Sequence, residues 1–188
     1  IQDAKNMYKI LSDTKISRGN NREGLKASCV YMACKKNNVP RSAKEIADIF
    51  KIKVSDMTKG CKLFLEIMNL NENKPKYNVK TSDASDYIER YCSNLNLSNE
   101  ICEICKKAAK KATEYSIVED NTPPSIAAGT IYMICNLYSM NITKKNVSQA
   151  CKISEVTISK CFKKMNKYKK HLVEYIPKKK SKSKSKSK

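Results

Sequence analysis

Residues 143–168 combine side chains and spacing that could grip nucleic acid. A short helical pattern over 143–151 is followed, after a brief turn, by a second over 154–168 with Ser154 placed to cap it. That spacing makes a helix-turn-helix, a motif whose second helix enters a DNA major groove amino end first. The early face of that helix carries Glu155, Val156, Thr157, Ser159 and Lys160. Val156 offers an apolar contact for a thymine methyl. Lys152, Lys160, Lys163 and Lys164 offer point charges for phosphates. The same lysines would also suit a helix that only keeps its charged face in water.

Other candidates are weaker. Ser17-Arg18-Gly19-Asn20 precedes a helical pattern, and a glycine with exposed amides near a helix start lets a phosphate backbone approach closely; an ordinary capped turn reads the same way. Arg41 could donate a forked pair of hydrogen bonds to a carboxylate. Cys102-x-x-Cys105 has a metal-ligand spacing, but a structural zinc needs four ligands and no second pair or histidine accompanies it. The remaining cysteines fall mostly on apolar helical stripes, so core or surface thiols are expected. His171 is the single histidine and has no evident nucleophile beside it. The four glycines form no phosphate loop. An enzyme is therefore not expected, and neither is a metal or cofactor in this chain.

Composition agrees with a polyanionic partner. The 188 residues carry 38 lysines and arginines against 18 acids, a formal charge of +20. Seven of those charges lie in Lys178–Lys188, a Lys/Ser tract that has nothing to bury, which leaves +13 for the rest. Only Arg18, Arg22, Arg41 and Arg90 are arginines. Lysine suits phosphates and arginine suits guanine edges, so most of this charge would supply affinity and little of it sequence reading. Nine cysteines, an odd number, read as reduced thiols of an intracellular protein. No stretch is apolar for long enough to span a membrane.

The elements that must position these residues are organised by an internal repeat. Tyr31-Met32-Ala33-Cys34 recurs as Tyr132-Met133-Ile134-Cys135, a shift of 101 residues. The same shift carries Leu25 to Ile126, Ile46 to Val147, Ile52 to Ile153, Met57 to Ile158 and Lys59 to Lys160, with no gap. Helical periodicity and capping signals predict helices at 2–14, 21–37, 42–50 and 55–69 in the first copy. In the second they predict 82–95, 99–115, 123–138, 143–151 and 154–168. Ser42 with Glu45 makes a capping box, Ser55 and Ser154 are expected caps, and Thr122-Pro123 opens a helix. Small residues at Ala27-Ser28 and Ala127-Ala128-Gly129 mark the central helix of each copy. The expected fold is all-α: a first repeat over 1–70, a linker over 71–80, a second repeat over 81–176 and a disordered tail over 177–188. The first copy has four helices to the second's five, as if its opening helix were cut away.

Two blocks carry a family resemblance. Gly19-Asn20-Asn21-Arg22-Glu23-Gly24-Leu25-Lys26-Ala27-Ser28-Cys29 with Val39-Pro40-Arg41-Ser42-Ala43-Lys44-Glu45-Ile46-Ala47 resembles the first repeat of the transcription factor IIB family. Ser125-Ile126-Ala127-Ala128, Ile131-Tyr132-Met133 and Glu155-Val156-Thr157-Ile158 resemble its second. The resemblance implies two tandem cyclin-like five-helix repeats. It implies that they grip promoter DNA on both sides of a TATA element together with the TATA-binding protein, in support of an RNA polymerase of the II type. It gives Val156 and Ser159 base-contact positions and Thr157 a phosphate-contact position. Serine replaces the family's frequent arginine at Ser159, which removes the guanine fork. It places Arg18, Gly19 and Asn20 at the minor groove downstream of TATA, with Asn20 where arginine is common. Lys35 and the loop from Asn37 to Arg41 face the TATA-binding protein. The family's zinc would lie in an amino-terminal ribbon outside this sequence.

A monomer is expected, nuclear in a eukaryote, or intracellular in a host cell or viral factory if the source is a large DNA virus, which the cysteine and lysine content fits; an archaeal source is a further alternative. Two rivals share the fold. One is a cyclin-type protein-binding module such as a kinase activator. The other is the paralogue serving RNA polymerase III.

Overall fold

The computed structural model describes residues 1–15, 17–70 and 81–174; the expected linker over 71–80 and the tail over 177–188 lie outside them. Among the described residues the chain forms ten helices and no strand, the all-α fold expected. It divides into two compact units, Ile1–Asp86 and Tyr87–Lys188. The first holds α1 (Gln2–Thr14), α2 (Gly19–Lys36), α3 (Ala43–Phe50) and α4 (Val54–Met68). The division falls in the first turn of α5 (Ser85–Asn94). The second unit continues with α6 (Asn99–Glu114), α7 (Pro123–Leu137), α8 (Lys144–Cys151), α9 (Glu155–Asn166) and α10 (Lys169–Leu172).

Each unit is built round one helix rich in small residues. Twelve of the 15 residues of α7 are buried, from Pro124 to Leu137, which leaves only a narrow edge at Tyr132 and Asn136 towards solvent and makes this helix central. It lies mainly against α9, as α2 lies mainly against α4. Close approach is achieved differently in the two pairs. Gly24 of α2 meets Gly60 of α4: a Cβ on Gly24 would lie 2.6 Å from the Asp56 carbonyl oxygen, and one on Gly60 would overlap the Gly24 carbonyl. In α7 the close residue is Gly129, where a Cβ would lie 2.7 Å from the Cβ and Sγ of Cys161. The first unit's core is Met7, Leu11, Leu25, Met32 and Phe64, with Ile46 and Met57 packed round Ala27.

The 101-residue repeat is written into the backbone as well. Asn38 and Ser139 both take left-handed conformations, with φ of 57° and 54°; Lys51 and Lys152 do the same at 55° and 57°. Ser42 and Glu45 form the expected capping box, and Thr143 with Asn146 forms its counterpart one repeat later. The second box carries no clear sequence signal, because asparagine replaces the usual Glu or Gln at its third position.

Several boundaries differ from expectation for local reasons. α2 starts at Gly19, so Gly19 and Asn20 belong to its first turn and the expected loop is shorter. Ser55 is no cap: α4 starts at Val54 behind Lys53, whose side chain makes no cap bond. α5 starts at Ser85 and not at 82, since the Asp86 carboxylate accepts a hydrogen bond from the Asp83 amide and turns the chain there. The expected helix over 154–168 closes at Asn166, and a separate turn, α10, follows. Tyr115, expected on a buried stripe, caps the end of α6 and is 58% exposed.

The cysteines are all free, and seven are buried. Burial pushes the thiols of Cys29 and Cys135 up to about 12. A thiol held protonated by the fold binds its proton more tightly folded than unfolded. Its contribution to stability is therefore complete below the ordinary thiol value near 9 and is lost as pH rises towards about 12. We expect the melting temperature, measured by calorimetry under reductant, to fall between about pH 8 and about pH 10.5. A Cys29→Ala/Cys135→Ala protein should fall less steeply over the same interval.

Candidate nucleic-acid interface

In the second unit α8 and α9 meet at the turn Lys152-Ile153-Ser154. Lys152 takes the left-handed conformation that reverses the chain, and Ser154 Oγ accepts the Thr157 amide at 3.2 Å. Ile158, Cys161 and Met165 turn inward and are fully buried, and the Thr130 hydroxyl of α7 approaches Met165 Sδ at 3.5 Å. This fixes the rotation of α9. Val156, Lys160 and Lys163, spaced i, i+4, i+7, share its outer face, where Val156 is 65% exposed.

Other expected contact residues sit elsewhere. Thr157 is half-buried, with its hydroxyl 2.8 Å from Ser154 Oγ. Ser159 is half-buried and accepts a hydrogen bond from Lys144 Nζ at 3.3 Å, which ties α8 to α9. Lys164, one turn on from Lys160 at the edge of the lysine face, binds Asp120 Oδ2 at 3.1 Å and Asn121 Oδ1 at 3.3 Å. Nothing in the sequence singles out Lys144. Its place beside Ser159 across the helix pair depends on the fold.

In the first unit Arg18 precedes α2 and lines an open cavity of about 670 Å³ with Lys15, Ser17, Asn21 and Lys59. Three of these side chains are cationic. α2 has 18 residues, no acidic residue in its first turn and no side-chain cap bond. Its first amides and the positive end of its dipole therefore stay available to an anion. Gly19 sits at φ 56° with nothing within 4 Å of where a Cβ would stand, so the left-handed backbone, not crowding, favours glycine there. Asn20 is exposed and does not line the cavity. Sequence reasoning misses Lys15 and Lys59 as site residues. The only sequence signal at Lys59 is its repeat match with Lys160.

The loop after α2 is held from two sides. Asp3 Oδ1 pairs with Lys36 at 2.9 Å, and its Oδ2 accepts the Asn37 side-chain amide at 3.0 Å. Those bonds, Asn37's first, hold the Asp3 carboxyl below its ordinary value. Arg41 Nη1 donates to the Val39 carbonyl at 3.0 Å and the Pro40 carbonyl at 3.3 Å, which folds the guanidinium over its own loop. Lys35 lies over the Tyr31 ring at 5.1 Å, and burial lowers its pKa. Lys35 and Arg41 thus flank one braced loop.

Cys102 and Cys105 are buried beside the equally buried Cys92 of α5. The described residues hold no group of three or more His, Cys, Asp or Glu placed to bind a metal. No described helix is long and apolar enough to cross a membrane.

Comparison with known proteins agrees with this architecture. The family model described as transcription factor TFIIB repeat matches residues 1–67 and 77–168. A putative transcription initiation factor IIB-like protein of Acanthamoeba polyphaga mimivirus is 37% identical over 184 residues, covering 91% of this chain and 40% of that protein. Transcription initiation factor IIB of Glycine max is 32% identical, covering 85% and 50%. That of Drosophila melanogaster is 30% identical, covering 88% and 50%. The chain spans about half the length of the curated relatives it matches. Two cyclin-like helical repeats, a family model matched in both of them and relatives identical at about a third of the aligned positions leave one assignment: the chain belongs to the transcription factor TFIIB repeat family.

Proposed function

We propose that this chain is the promoter-gripping core of a general transcription initiation factor of the IIB type, acting without catalysis. The observation that carries the reading is the outer face of α9, where Val156, Lys160 and Lys163 lie in line beyond a capped helix-turn-helix turn. That face would enter the major groove, with Val156 against a thymine methyl and the lysines on phosphates. Lys152 would add a phosphate contact at the turn. Thr157 and Ser159, tied to Ser154 and Lys144, would reach DNA only through their remaining hydrogen-bonding capacity. The serine cannot make the bidentate guanine contact.

The cavity at Arg18, Lys15 and Lys59 would hold backbone phosphate near the start of α2, beside Gly19 and Asn20. The braced loop with Lys35 and Arg41 would meet an acidic surface of the TATA-binding protein. RNA polymerase of the II type would be recruited to the resulting complex. In a eukaryote the site of action would be the nucleus, and in a virus-infected cell the viral factory.

Replacing Lys160 with Ala removes one phosphate contact. The slope of log affinity against log salt should shrink by about one unit, with base preference unchanged. Anisotropy titrations on promoter duplexes at several salt concentrations measure it. An unchanged slope removes Lys160 from the interface.

One observation favours the cyclin-type protein-binding reading. The first unit has an apolar groove of about 460 Å³, lined by Ala4, Tyr8, Cys29, Val30, Ala33 and Phe50 among others. A shift of 101 residues maps Ala4, Ala33 and Cys34 of this groove onto Cys105, Ile134 and Cys135. In the second unit that position receives α5, whose free Cys92 thiol lies beside Cys105 and near Cys135, and whose Glu89 pairs with Lys106 at 3.5 Å. The groove therefore matches a seat for a helix of the repeat itself, and the IIB reading is kept.

A further inference from the structure

The second unit carries another basic opening, one turn beyond the Val156–Lys163 face. An open cavity of about 590 Å³ lies where the end of α6 meets the end of α9 and α10, lined by Tyr115, Ser116, Ile117, Lys164, Lys167, Tyr168 and His171. Three features set it apart. Lys164, Lys167 and His171 converge on it, and among the described residues no carboxylate lines it. Tyr115 and Tyr168 are 58% and 48% exposed, and among the described Tyr and Phe residues they are the ones left open to solvent. Both belong to this one cavity. Its floor has a single aliphatic side chain, Ile117.

We propose that this cavity binds an unpaired nucleotide of single-stranded DNA or RNA, with a base stacked on Tyr115 or Tyr168 and phosphate held by Lys167 and Lys164. Aromatic platforms beside lysines are how proteins hold single strands without reading sequence, because every base has a π-face and every nucleotide a phosphate. A duplex presents its phosphates but not its base faces, so two open tyrosine rings add nothing for it. An acidic amphipathic peptide would need an apolar floor for its aliphatic side chains, and Ile117 alone does not make one. The fold prepares the site. Ser116, at φ 56°, turns the chain sharply after α6 and leaves Tyr115 at the helix end. Lys164, which lines the cavity, pairs with Asp120, a carboxylate 89% exposed, whose weak hold a phosphate can replace. This site adjoins the carboxyl end of the α9 outer face without using Val156, Lys160 or Lys163, and its use does not depend on the initiation-factor reading.

The test is fluorescence anisotropy with labelled oligo(dT), oligo(U) and a duplex of equal length, on the full chain with its lysine tract retained in every variant. Tyr115→Ala/Tyr168→Ala should weaken both single strands by about 5- to 150-fold and leave the duplex within about twofold. Tyr115→Phe/Tyr168→Phe should retain single-strand binding, since stacking needs the ring and not the hydroxyl. Lys160→Ala/Lys163→Ala should do the reverse, weakening the duplex far more than the single strands. A loss on only one of the two single strands would restrict the ligand to that sugar. Three outcomes overturn the proposal: no loss in the alanine variant, an equal loss on duplex and single strand, or a poly-glutamate peptide that loses affinity by the same factor. Both tyrosines are exposed, so thermal melts of the variants should match the parent. If the alanine variant melts lower, the phenylalanine variant decides: loss of binding in that folded protein refutes stacking.

Discussion

Gly60→Ala should abolish the first unit's cooperative melting transition while leaving that of the second in place. The added Cβ would overlap the Gly24 carbonyl, and backbone cannot rotate away as a side chain can. Overpacking a core usually costs about 1–3 kcal/mol where side chains can shift. Here α4 must move bodily off α2, its main packing partner, so the cost should exceed about 4 kcal/mol, the range reserved for changes that break a defined contact. Small domains have only about 5–15 kcal/mol in total, and a four-helix unit sits at the low end. Differential scanning calorimetry measures the result. A shift of only a degree or two in the first transition would mean that the helices can separate at little cost, and that their close approach is not what holds the unit together.

Lys160→Ala/Lys163→Ala should weaken promoter binding by about 60-fold at about 0.1 M salt. Each phosphate contact contributes a slope of about 0.9, so at that salt each is worth about eightfold, and two independent contacts multiply. The two lysines lie on one face of α9 but on successive turns, so they would reach different phosphates. Among the described residues neither makes a salt bridge within the protein, in contrast to Lys164, which Asp120 occupies. Raising the salt to about 0.5 M should shrink the difference between parent and variant to a few-fold. A difference that persists undiminished at high salt would point to damage to the fold in place of lost phosphate contacts.

Much of this architecture is legible in the sequence. The unbroken 101-residue shift locates both repeats because it relies on many weak matches in one register. Ser42-x-x-Glu45 and Ser154 announce helix starts because capping needs particular side chains at fixed spacing. What escapes such reading is governed by contacts between elements distant in the chain. Gly24 and Gly60 are two of only four glycines, yet nothing local shows that they face each other. Lys15 and Lys59 share a cavity across more than forty residues. Ser159 and Lys144 lie on different helices, so their bond follows from how α8 crosses α9. Tyr115 fits a buried stripe by periodicity, but the stripe ends with the helix one residue earlier. The helix-turn-helix itself is plain from spacing and caps. Which of its residues face outward depends on Ile158, Cys161 and Met165 being drawn to α7.

The central claim is tested most directly by a gel-shift titration of this chain on a TATA-containing promoter fragment, with and without the matching TATA-binding protein, at two salt concentrations. The account predicts a slower ternary band that forms only with the TATA-binding protein, weakens with salt, and is lost first in the Lys160→Ala/Lys163→Ala variant. Equal binding to any duplex, with no gain from the TATA-binding protein, would contradict the initiation-factor role while leaving the family and the fold untouched.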